Sequence, residues 1–274
     1  MRAYETEAEI MEHIGNCHIC GTYGKLSFEH IPPEGALNHG KAMVYTGDEV
    51  LKRYRGEKSK YQSQQRGMGK YTLCDNCNNK TGSWYVPAYN TFAQAVAWEL
   101  QKMPALQHGN AISFSTDKIL PLQFVKQVVT MFCSLLPVSE VQRLGFDKLL
   151  LDKDSNQVDK SLFDLRIYLT QSSVGQLMVG PTAVIRKTET GFDSTLVCDL
   201  CAYPFGFILN LSPENPIEYG ASLMGLFDTE YGKAYDMTWV LTYLERTSET
   251  LPMPLVFKPL PATPTNDSNP TQKA

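Results

Sequence analysis

The 274-residue chain contains no uninterrupted apolar run approaching the ~20 residues that a membrane helix requires. Its richest stretches are broken by Lys126 in one case and Asp199 in the other. A basic leader is missing too: Glu5, Glu7, Glu9 and Glu12 carry the wrong charge for a secretory or organellar signal. Together these absences set a cytoplasmic location as the expectation. Seven cysteines is an odd count, which argues against a fully paired disulfide framework. There is no internal repeat beyond a recurring Cys-x-x-Cys spacing. Net positive charge is also lacking: the balance is −4, a poor start for a protein that meets nucleic acid.

What is present qualifies the last two points. Six of the cysteines form three Cys-x-x-Cys pairs, Cys17/Cys20, Cys74/Cys77 and Cys198/Cys201, which in a reducing compartment read as metal ligands or redox centres before disulfides. The charge is unevenly spread. Between Asn38 and Leu73 eight bases (Lys41, Lys52, Arg53, Arg55, Lys58, Lys60, Arg66, Lys70) face three acids (Asp48, Glu49, Glu57). That segment is +5 and the remainder −9, so a local patch can attract phosphate on an acidic molecule. A hydrophobic fraction of 43% and a charged fraction of 20% describe an ordinary globular chain.

Periodicity divides the chain near Gly109. The first part, residues 1–109, opens with a short helix over Glu5 to Ile14, then a cysteine knuckle and a strand over Lys25 to Ile31 that Pro32-Pro33 ends. Asn38 to Lys70 has no clean period and reads as a long loop with a short helix near Asp48 to Arg55. Tyr85 to Lys102 reads as a helix, with Pro87 in its first turn. Residues 110–259 are mixed α+β: a helix over Leu122 to Leu136, a second running toward Leu144 with Ser139 as its cap, and strands at Asp164–Thr170, Leu177–Val184, Ser194–Leu200, Phe205–Leu211 and Met237–Tyr243. Residues 260–274 are Pro/Thr/Asn-rich and expected to be a disordered tail.

Cys17-His18-Ile19-Cys20 and Cys74-Asp75-Asn76-Cys77 bracket a polar, loop-rich segment that has little core of its own. Two residues between cysteines let both sulfurs face one centre, and two such turns complete a tetrahedral all-thiolate zinc site. A staple of this kind is what such a segment needs. Between the knuckles lies Ser27-Phe28-Glu29-His30-Ile31-Pro32, and directly after the fourth cysteine comes Asn78-Asn79-Lys80-Thr81-Gly82.

The combined text over residues 17–82 resembles the HNH endonuclease superfamily, whose fold is a ββα-metal unit. The resemblance implies a small zinc-stapled ββα-metal module followed by a mixed α+β domain, and a metal-dependent hydrolase of DNA phosphodiester bonds leaving 5′-phosphate and 3′-hydroxyl ends. By the same resemblance His30 is the general base, an imidazole able to accept a proton at physiological pH. Glu29 and Asn78 would bind a catalytic Mg²⁺ or Mn²⁺, and Cys17, Cys20, Cys74 and Cys77 a structural Zn²⁺. The acidic position is more often Asp in the family, so Glu29 adds one methylene. The family's middle asparagine, which braces the loop carrying the base, is missing from Arg66 to Leu73; Gln64, Gln65, Asn38 and His39 are its possible replacements.

Lys52, Arg53, Arg55, Lys58, Lys60, Arg66, Lys70 and Lys80 are the expected contacts to the DNA backbone, positioning it without reading sequence. Cys198 and Cys201 lead into an apolar run and are expected to be core cysteines. His18 and His39 are expected not to be ligands; His13 and His108 carry no motif. Modules of this kind in bacterial defence and mobile-element proteins are often joined to a sensing or assembly domain, so by analogy alone the second half would regulate the nuclease or join two copies. Two other readings stay open: a non-catalytic zinc-dependent nucleic-acid-binding module, and a nuclease directed at RNA.

Overall fold

The computed structural model describes residues 13–46, 48–49, 52, 55–170, 177–187 and 191–244. Arg53, most of the expected N-terminal helix and the 260–274 tail lie outside these residues.

Small residues and prolines keep the first strands short. β1 (Ile14–Asn16) and β2 (Tyr23–Lys25) pair antiparallel across the first knuckle. Ile14 is therefore strand rather than the end of a helix. The chain breaks at Leu26 and resumes as β3 (Ser27–His30). A cis Ile31–Pro32 peptide follows, and proline cannot extend a ladder, as expected. β4 (Ala42–Val44) pairs with β5 (Gln62–Gln64), so the basic excursion contains a two-stranded ribbon as well as loop. β6 (Gly69–Leu73) returns to pair antiparallel with β3, setting His30 opposite Gly69 and Glu29 opposite Lys70.

Helix α1 runs over Asp75–Lys102, 28 residues and about 42 Å at 1.5 Å per residue. Sequence periodicity placed its start ten residues later, at Tyr85, because the Asn-, Thr- and Gly-containing text before it has poor helix propensity. The second knuckle supplies the missing nucleation: Cys74 is the N-cap, and the Asn78 amide donates to its carbonyl at 3.0 Å. Pro87 is consequently an interior proline. It sits on the exposed side, where the carbonyl it leaves unpaired one turn back can be hydrated.

After a turn at Gln107–Asn110, β7 (Ala111–Ile119) leads into α2 (Pro121–Cys133), all of whose residues are buried. A helix buried on every side is a central packing post. It touches α1 along its length and carries a buried lysine, Lys126, whose Nζ donates to the carbonyls of Asp152 and Lys153 at 2.9 and 3.0 Å. Short helices α3 (Val138–Arg143) and α4 (Phe146–Leu151) follow. Pro137, rather than Ser139, occupies the N-cap of α3.

The expected strands then appear as β8 (Asp164–Leu169), β9 (Leu177–Lys187), β10 (Phe192–Ala202) and β11 (Phe205–Asn210). With β12 (Ala221–Ser222) they make one antiparallel sheet in the order β12-β8-β11-β10-β9. A 3₁₀ turn at Met224–Asp228 precedes β13 (Tyr235–Thr242), which pairs with β7. The protein is thus α+β with antiparallel sheets. Among the described residues, no helix is long and apolar enough to cross a membrane.

One apolar cluster runs from Cys17, Ile19 and Leu73 through Tyr85, Tyr89 and Phe92 of α1 and into β8, β11 and β13. Its centre is aromatic: Phe92 stacks on Phe205 at 5.1 Å and meets Phe124 edge-on at 4.8 Å. Such pairs add about 0.5–1.5 kcal/mol each beyond burial. α1 therefore joins the cysteine end of the molecule to the main core, holding its first turn in place. Cys198 and Cys201 are both buried in β10, Cys198 within this cluster and Cys201 donating to Thr170 Oγ1 at 3.6 Å.

Candidate metal centre and catalytic cleft

The two knuckles meet. Ligand atoms of Cys17, Cys20, Cys74 and Cys77 all lie within 4.8 Å of one another, with Cys20 and Cys74 sulfurs 3.8 Å apart. A tetrahedral thiolate site with zinc–sulfur bonds of about 2.3 Å requires sulfurs about 3.8 Å apart, so the donor set fits a structural ion such as zinc. Local folding explains the convergence. The first knuckle closes with Gly21 N donating to Cys17 O at 2.8 Å and Cys17 N to Thr22 O at 2.9 Å; the second is the first turn of α1. The Cys77 thiol beside it holds the Cys17 sulfur well below the usual thiol range, at about 4, against the opposing effect of burial. The same contact, followed by burial, pushes Cys77 up. Four thiols this close compete for negative charge, and a cation relieves that competition.

Two bonds tie this end to α2 and the segment after it. His18 N donates to Thr72 O at 2.9 Å, and its Nδ1 lies 2.9 Å from Cys133 O, so the ring serves as a strut. Thr72 Oγ1 donates to Ser134 Oγ at 2.7 Å.

His30 stands at the end of β3, and its Nε2 lies 2.9 Å from the Arg66 carbonyl. A carbonyl can only accept, so Nε2 donates, which leaves Nδ1 as the ring nitrogen able to act as an acceptor. Phe28 packs edge-on against the ring at 4.9 Å. An open cleft of about 200 Å³ lies here, lined by Phe28, Glu29, His30, Glu34, Asn78 and Val86 among others.

Asn78 reaches the cleft from α1. Its Nδ2 donates to Ser27 Oγ and Phe28 O, both at 3.1 Å, which fixes the amide and leaves Oδ1 as an acceptor. Glu29 is placed differently. Neighbours along a strand face opposite sides, and Glu29 points inward with 6% of its surface exposed. Burial pushes its carboxyl up to about 8, with the Gln127 amide on α2 opposing the shift. Asn78 is the more accessible of these two oxygen donors to a hydrated divalent cation.

Asn38 was one of four sequence possibilities for the brace, and its geometry distinguishes it. It is buried, its Nδ2 donates to Pro32 O at 2.6 Å and Met68 O at 2.8 Å, and its Oδ1 accepts from Met68 N at 2.8 Å. It thereby clamps the segment leaving His30 to the one that supplies the Arg66 carbonyl. Gly67 sits between Arg66 and Met68 with φ +84°, and a Cβ there would collide with the Asn38 carbonyl. Gln64 pairs with Gly69 at 3.2 and 3.4 Å and adds a second, outer clasp. Gln65 bonds Ser63 at 3.2 Å, and His39 is exposed.

Arg66, Lys70 and Lys80 are exposed: Arg66 supplies the carbonyl at His30, Lys70 pairs with Glu29 across the strands, and Lys80 lies two positions after Asn78. Arg55, Lys58 and Lys60 are exposed on the excursion between β4 and β5. There Lys52 is paired with Glu49 at 2.6 Å.

No protein-family model matches the chain, and neither the curated proteins nor the solved structures contain a match.

Proposed function

We propose that the protein is a metal-dependent endonuclease of HNH type that hydrolyses phosphodiester bonds in DNA. The observation that carries this reading is the His30 ring, held through Nε2 by the Arg66 carbonyl in an open cleft that Asn78 also lines. The chain order β3, β6, α1, stapled at its base by four thiols, is the strand–strand–helix arrangement that the sequence resemblance implies.

In this reading Nδ1 of His30 takes a proton from a water that attacks phosphorus, and the Arg66 carbonyl steadies the imidazolium that results. Asn38 keeps the two segments around the ring from separating. A divalent cation, when bound, neutralises phosphoryl charge and the departing 3′ oxygen; Asn78 would hold it. Arg66, Lys70 and Lys80 would meet backbone phosphates at the rim.

The test is incubation of zinc-loaded protein with plasmid, single-stranded DNA and RNA, each with Mg²⁺ or with the divalent cation withheld. Mg²⁺-dependent nicking of DNA supports the proposal. Cleavage confined to RNA transfers it to an RNA-directed enzyme, and retention of DNA without cleavage reduces it to a binding module.

A further inference from the structure

We propose that Glu34, not Glu29, is the carboxylate through which this cleft takes its divalent cation, acting with the side-chain oxygen of Asn78; this rests on the nuclease reading above. A hard cation is held by ionised, hydrated oxygen donors. Of the two carboxylates lining the cleft, Glu34 is exposed and Glu29 is buried. Among the described residues Glu34 enters no ion pair, so its charge is not spent on a neighbouring base.

Glu34 is also well anchored for a loop residue. Ala36 N donates to Pro33 O at 2.9 Å and Asn38 N to Glu34 O at 3.3 Å, closing a tight turn. Gln94 of α1 donates to Gly35 O at 2.6 Å, and the Asn38 clamp fixes the far end. The backbone carrying Glu34 is thus bonded to the same helix that carries Asn78, which ties the two positions together. Volume is adequate: the cleft of about 200 Å³ has room for a partly hydrated ion, each water taking about 30 Å³. Glu34 lies five positions after Glu29, beyond a pair of prolines, which is why the motif text alone did not single it out.

The experiment is Mn²⁺ binding to the zinc-loaded full chain, read by electron paramagnetic resonance, for the wild type, Glu34→Gln and Glu29→Gln. Glu34→Gln should weaken Mn²⁺ binding by about tenfold or more, the scale on which even outer partners of a metal site act. Glu29→Gln should leave it within about twofold, with zinc content and melting confirming that each variant is folded. Wild-type binding by Glu34→Gln, a loss in Glu29→Gln equal to that in Glu34→Gln, or no Mn²⁺ uptake by the wild type overturns the assignment. Cleavage assays separate the two ideas. Uptake through Glu34 with no nucleic acid cut sinks the nuclease but keeps the cation site; His30-dependent cleavage with Mn²⁺ binding indifferent to Glu34 does the reverse.

Discussion

The Asn38 side chain and the Met68 backbone form a closed reciprocal pair, amide to carbonyl and amide to amide oxygen, each at 2.8 Å. Met68 lies two residues from the carbonyl that fixes the His30 ring, so this pair sets the distance between β3's exit and β6's entry. Asn38→Ala would leave the Met68 N–H and the Pro32 carbonyl without their partner, each costing about 1–3 kcal/mol, while the Met68 carbonyl keeps Ile31 N at 3.0 Å. Allowing for relaxation, the expected loss is about 2–4 kcal/mol in stability, with cleavage reduced about 10- to 100-fold as the ring drifts. Denaturant melts and single-turnover rates check both. A fully active variant of normal stability would show that the clamp does not position the base.

Removing the metal should act first on the same end. Chelation, or Cys77→Ser, leaves crowded thiols with no shared cation, while the aromatic core around Phe92 and Phe124 stays packed. Structural zinc contributes on the order of 10 kcal/mol in small isolated modules; here part of the loss is offset by the core. Hydrogen exchange should therefore rise sharply in β1, β2, β3 and β6 and little in β8 and β11. Uniform exchange throughout would mean the cluster is not a local staple.

Glu29 gives a pH signature with a definite sign. Folded, its carboxyl keeps a proton to about 8; unfolded, it releases it near 4.5. Across that window the unfolded state binds fewer protons, so stability is full below 4.5, falls as pH rises, and stops falling above 8. The slope is at most about 1.4 kcal/mol per unit. Glu29→Gln should flatten it, and denaturant titrations at pH 5, 6.5 and 8 in magnesium-free buffer read the difference. An unchanged slope would place the ionisation elsewhere.

Gly82 lies one turn from Asn78 and one from Val86 inside α1, and a Cβ there would meet nothing within 4 Å. Alanine avoids the entropic penalty of an interior helix glycine, so Gly82→Ala should raise stability by about 0.5–1 kcal/mol. A loss instead would mean that the helix is strained at this turn.

Much of this was legible in the sequence, for identifiable reasons. The cysteine spacings carried the four-thiol cluster, since two such turns bracketing a polar segment point their sulfurs to one centre. Val, Ile and Phe runs between Gly and Pro located β8, β9, β10 and β11 within a few residues. The start of α1 was not legible, because Asn76 to Gly82 is helical through the constraint at Cys74 and Cys77 and not through propensity. β7 was also missed: its alternation is written partly in Ser and Thr, which also mark loops. At the cleft, the motif named His30 and Asn78 but left the brace among four residues. Only the fold brings Asn38 to Met68 across 30 positions, and only the fold buries Glu29 while leaving Glu34 exposed at the same groove.

The most direct measurement compares Mg²⁺-dependent nicking of plasmid by wild-type protein and by His30→Ala at equal zinc content. Loss of the proton acceptor should lower the rate by about 10²- to 10⁴-fold while melting and zinc stoichiometry stay close to wild type. Undiminished nicking by the folded, zinc-replete variant would contradict the account.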